Sequence, residues 1–80
     1  MNDKDAILAL LRSSGYRVTK QRELLIDILL EESCSSGKEI YQTARERDSG
    51  IGCATVYRFL DTLEKVGVIS RRNMFRFIGT

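Results

Sequence analysis

The amino-acid sequence predicts a mainly α fold: a winged helix-turn-helix of four helices followed by a two-stranded β-hairpin wing. Three observations predict it. Apolar residues recur at helical spacing in four separate stretches. The third and fourth stretches are separated only by "DSGIG", a short glycine-containing connection of the kind that joins a helix-turn-helix. After Gly67 the pattern changes: Val68 to Arg71 alternates, then Phe75, Phe77 and the neighbouring Ile78 form a second extended run, with "RNM" between them.

Each element has its own signals. Ile7, Leu8, Leu10 and Leu11 place an apolar stripe on a first helix over 3–14, with Asn2 or Asp3 to cap it and Gly15 to stop it. Thr19 is a good N-cap for a second helix over about 20–32, whose Leu24, Leu25, Ile28 and Leu29 share a face. "SCSSG" is loop by composition. Ser36 and Glu39 then match a capping box, opening a third helix through about Arg47 with Ile40, Tyr41 and Ala44 inward. A fourth helix runs from about Cys53 to Val66 and stops at Gly67. There are no internal repeats and no long linker, so the 80 residues form one domain.

Composition narrows the function classes. With 42% hydrophobic and 30% charged residues the chain reads as an ordinary soluble domain. No apolar run approaches the roughly 20 residues that span a bilayer. The acidic start lacks the basic region of a signal peptide, so a cytoplasmic protein with no membrane partner is expected. Histidine is absent, which removes the commonest general base and metal ligand, and no catalytic constellation or phosphate-binding loop is present. An enzyme is not expected. Cys34 and Cys53 are too widely spaced to form a zinc site on their own, and cytosolic context favours free thiols.

The net charge of +2 says little, but its distribution says more. Residues 12–22 hold Arg12, Arg17, Lys20 and Arg22 with no acid, residues 23–50 are acidic, and residues 58–80 are again basic, with Arg71 and Arg72 in the hairpin. Two basic segments around an acidic middle fold readily into a molecule with one positive face, the footprint of a nucleic-acid partner. A solvated mixed surface is the alternative. Lys20, Gln21 and Arg22 occupy the first turn of the second helix, where cations oppose the helix dipole. Either an external anion such as a phosphate offsets this, or solvent screens it.

On the fourth helix, Val56, Phe59, Leu60 and Leu63 fall in one sector, and Ala54, Arg58, Asp61 and Lys65 fall opposite. Thr55 and Tyr57 lie on the flanks near the start. In a helix-turn-helix the second helix enters the major groove with its N-terminal residues at the base edges. Arg58 can donate a fork to guanine, and Ala54 or Thr55 can offer a methyl to thymine. Tyr57 can meet a thymine methyl or a phosphate, or else pack against a neighbouring helix with its hydroxyl outward.

The segments "GYRVTKQR" and "KEIYQTARERDSGIGCATVYRFLDTLEKVGVISR" resemble the DNA-binding domain of the Fur family, the ferric uptake regulators and their zinc- and peroxide-sensing relatives. The resemblance covers about residues 7–78. It implies sequence-specific binding of double-stranded DNA, an A·T-rich palindromic operator, and repression in metal or oxidative-stress response. By position, it assigns Arg17 to an A·T-rich minor groove, Thr55, Tyr57 and Arg58 to the recognition helix, and Arg22 to a phosphate contact or a structural brace. Lys20 stands where the family usually has proline, and adds a cation beside the proposed DNA surface. Cys34 lies near a position where the family often has a histidine ligand. Family members continue into a second domain that makes the dimer and holds most metal ligands. The resemblance therefore implies no cofactor within these residues, an iron or zinc ion only with that further domain, and a homodimer that is weak or absent without it. Two other readings are a winged helix reused as a protein-interaction module with Tyr57 as its anchor, and a thiol switch at Cys53.

Overall fold

The structure is a computed structural model and describes residues 3–31, 36–70 and 76–77. Four helices come first: α1 (Asp3–Ser13), α2 (Lys20–Glu31), α3 (Gly37–Arg47) and α4 (Cys53–Lys65). Two short strands, β1 (Ile69–Ser70) and β2 (Arg76–Phe77), pair antiparallel with Ile69 opposite Phe77 and Ser70 opposite Arg76. The connection over 71–75 lies outside the described residues, as do Asn2, the side chain of Asp3, Cys34, Arg71, Arg72, Phe75 and Ile78.

The helix ends follow from local chemistry. The Arg22 amide donates to the Thr19 hydroxyl at 3.2 Å, and the Glu39 amide donates to the Ser36 hydroxyl at 3.3 Å, so both expected N-caps form. α1 and α4 share one kind of ending. Gly15 and Gly67 adopt φ of 88° and 82°, a region that favours residues without a Cβ. Beyond them, the Tyr16 amide reaches the Leu11 carbonyl at 2.9 Å and the Val68 amide reaches the Leu63 carbonyl at 3.1 Å. These are paired helix-terminating bonds, with an apolar residue after each glycine returning to the core.

The core is formed by all four helices. Leu11, Leu25, Ile26, Ile28, Ile40, Ala44, Val56, Leu60 and Leu63 are completely sealed, and Phe59 is nearly so. α2 packs on α1 and α3, α3 packs on α4, β1 lies against α4 and β2 against α2. Ion pairs among the described residues fasten the outside. Lys4 meets Asp27 at 3.1 Å between α1 and α2, and Arg47 forks onto Glu31 at 3.1 and 3.3 Å between α3 and α2. The hydrogen bond to Asp27 raises the Lys4 pKa above its ordinary 10.5. That pair therefore contributes fully below the ordinary value and fades as pH climbs past the raised one.

Several inward assignments need correction. Leu10 is an exposed residue of α1, because four leucines and isoleucines within five positions subtend more arc than the one buried face. Leu24 is only half-buried, whereas Ile26, not assigned inward from the sequence, is sealed. α2 is apolar on most sides, so its period alone does not select a face. Tyr41 is also half-buried, with Arg45 stacked over its ring at 5.7 Å. α4 ends at Lys65, and Val66 is its C-cap rather than its last residue.

Candidate nucleic-acid interface

The turn between α3 and α4 is built around Asp48. Its amide closes α3 on the Ala44 carbonyl at 2.8 Å, and one carboxylate oxygen accepts the Gly50 amide at 3.0 Å. The other accepts from Gln21 Nε2 at 3.4 Å, tying the start of α2 to the turn. Ile51 is buried at 3% exposure and anchors the turn in the core. This residue was not expected from the sequence, since one aliphatic residue among glycines and serines has no period. With both polar and apolar anchors in place, the turn fixes the direction in which α4 leaves.

α4 divides cleanly. Val56, Phe59, Leu60 and Leu63 are buried, and Cys53, Ala54, Tyr57, Arg58, Asp61, Glu64 and Lys65 are exposed. Thr55 is intermediate, on the boundary. Its N-cap is Gly52, so no side chain caps its first amides. Cys53 is a free, exposed thiol. Tyr57 is 41% exposed and its ring edge rests on Gly37, in the first turn of α3. Tyr57 is thus partly packed on a neighbouring helix, one of its two readings from the sequence, and partly open.

Arg22 joins the remaining elements. Its guanidinium lies over the Phe59 ring at 5.5 Å and donates to the Arg17 carbonyl at 2.6 Å. That bond is short, as expected for a charged donor. Arg22 therefore braces the segment holding Arg17 against α4. Gln21 has a similar internal engagement through Asp48, and both side chains are only half exposed. Arg17 and Lys20 are exposed. Arg22 thus reaches α4 through Phe59, and Gln21 reaches the α3–α4 turn through Asp48, while α4 exposes Ala54, Tyr57 and Arg58 with Thr55 half-buried. Arg71 and Arg72 lie outside the described residues.

Other chemistry is sparse. An open depression on α3 is lined by Lys38, Tyr41, Gln42, Arg45 and Glu46. All five belong to one helix, which gives a surface dip rather than an enclosed small-molecule site. Among the described residues no group of three or more Cys, Asp or Glu is placed to hold a metal ion. No described helix is long and apolar enough to cross a membrane.

The described residues form a helix-turn-helix domain in which α3 and α4 meet at the Asp48 turn and α4 exposes Tyr57 and Arg58. The chain belongs to the ferric uptake regulator family, whose model matches residues 13–76. It is 39% identical over 74 residues to the ferric uptake regulation protein of Bacillus subtilis (strain 168), covering 90% of this chain and 50% of that protein. It is 40% identical over 62 residues to that of Brucella abortus (strain 2308), covering 76% of this chain and 44% of the relative. The chain thus spans about half the length of the curated relatives it matches. The Helicobacter pylori ferric uptake regulator superposes with a TM-score of 0.79 at 27% identity, over 99% of this chain and 60% of that one. PerR from Streptococcus pyogenes, described in terms of peroxide sensing and gene regulation, superposes at 0.81 with 21% identity, over 99% and 59%, a likeness of fold.

Proposed function

We propose that this domain binds double-stranded DNA sequence-specifically as the reading head of a transcriptional repressor. α4 lies in the major groove, with Arg58 on a guanine and Tyr57 and the methyls of Ala54 and Thr55 on thymine. Arg17 enters an A·T-rich minor groove, where the narrow groove concentrates negative potential. Lys20 meets phosphate. Arg71 and Arg72, which lie outside the described residues, add phosphate contacts on this reading. Gln21, expected as a DNA contact, and Arg22, expected as a phosphate contact or a structural brace, are already engaged within the domain by Asp48, Phe59 and the Arg17 carbonyl.

One observation supports this reading above the others: α4 buries four apolar residues on one side while Tyr57 and Arg58 stand exposed on the rest, beside the braced Arg17 edge. A single module of this size buries about 600–1,000 Å² on DNA. Alone it binds its cognate site more weakly than a dimer does, because a dimer on a palindromic operator engages two half-sites at once. Selecting duplexes from a random pool, with a size measurement of the free protein, tests the proposal. A recovered A·T-rich motif supports it. Binding to a protein partner that is indifferent to added DNA refutes it in favour of an interaction module.

Lys20 gives a sharper check. Lys20→Ala is expected to weaken binding to cognate and scrambled duplexes alike and to lower the salt slope by about one. Equal slopes for variant and parent would remove Lys20 from the phosphate contacts.

A further inference from the structure

We propose that Gly37 is a positioning residue for Tyr57, and that its missing side chain sets how α4 presents the tyrosine to DNA. The inference rests on the DNA reading above and adds to it a residue that touches no base.

A Cβ built on Gly37 would stand 2.5 Å from Tyr57 Cε1, 3.0 Å from Cζ and 3.2 Å from Oη. The first of these distances is too short for two carbon atoms. Gly37 is buried, yet its φ is not positive, since only Gly15 and Gly67 adopt that region among the described residues. The backbone therefore places no demand for glycine at this position. The demand comes from the aromatic ring lying on it. Tyr57 is 41% exposed, so its ring has open solvent to swing into. A methyl group at position 37 thus displaces the ring rather than the helix, and moves the hydroxyl away from the first turn of α3.

The consequence is a specific pairing across the helix-turn-helix. In the parent, α3 holds the tyrosine ring against its own first turn, and the ring is ordered before DNA arrives. Ordering a contact residue in advance reduces what binding must immobilise. Gly37→Ala releases that restraint while keeping the Tyr57 side chain intact.

The test uses the full chain and duplexes recovered by selection, with Gly37→Ala, Tyr57→Ala, the double variant and Arg58→Ala compared on cognate and scrambled sequences. Gly37→Ala is expected to melt at or above the parent temperature and to weaken the NMR cross-peaks between the amide proton of residue 37 and the Tyr57 ring. Its cognate-to-scrambled affinity ratio is expected to fall about tenfold, the size of one lost base contact. The double variant is expected to discriminate no worse than Tyr57→Ala alone, because both act through one ring. An unchanged ratio in Gly37→Ala, or losses that add in the double variant, overturns the inference. If Arg58→Ala changes the ratio and Tyr57→Ala does not, the positioning role falls and the DNA reading stands. If none of the variants changes it, both fall.

Discussion

Phe59→Ala is expected to lower folding stability by about 3–5 kcal/mol, the usual cost of emptying a buried phenyl site. A domain of this length has only about 4–12 kcal/mol in total. The loss therefore consumes a large part of it, and the variant should unfold at a much lower urea concentration. Two consequences of one ring explain the size. Phe59 is 1% exposed and lies among the residues sealed by all four helices. It also supports the Arg22 guanidinium, which in turn holds the Arg17 carbonyl. Phe59→Leu separates these effects. It keeps most of the packing volume and should cost less than about 1.5 kcal/mol if the site repacks, but it removes the face under Arg22. A urea midpoint for Phe59→Ala indistinguishable from the parent would contradict the core as described.

Arg58→Ala is expected to leave folding within about 0.5 kcal/mol, because the side chain is exposed. The helix around it keeps its backbone bonds, and the Thr62 hydroxyl still donates to the carbonyl of residue 58, now at 3.1 Å. The effect falls on recognition. Loss of a guanidinium fork from guanine is worth about 1–3 kcal/mol of discrimination, so preference should relax at one base position while the remaining positions hold. Arg58→Lys refines the result. The ammonium keeps the charge and most of the salt dependence, but it lacks the planar pair of donors that matches guanine. Binding selections with the three proteins should show the preference weakened in the lysine variant and absent in the alanine variant. Identical motifs from all three would place the reading residue elsewhere.

The sequence was most legible where the signal is local and periodic. α4 shows this best: its four buried residues follow from spacing alone, and Arg58 is exposed for the same reason. Thr19, Ser36, Gly15 and Gly67 were also legible, because each satisfies a requirement of a single helix end. The failures share a different cause. Leu10 and Ile26 sit in runs so rich in aliphatic residues that the period no longer selects a face. Ile51 is buried by its neighbours in space, not by its neighbours in sequence. The internal organisation of the candidate site was not legible. Nothing near Gln21 announces that it meets Asp48, and nothing near Gly37 announces the ring of Tyr57. Such contacts join residues 20 or more positions apart, and only the packed chain defines them.

The clean division of α4 has a consequence for engineering. Positions 54, 58 and 61 point outward and positions 56, 59, 60 and 63 point inward. On the proposed DNA reading, a combinatorial library confined to positions 54 and 58 would alter what the domain grips while leaving the buried set in place. Position 57 is the exception, since any substitute there inherits the floor that Gly37 provides. A programme to retarget this scaffold would vary 37 and 57 as a couple and the others one by one.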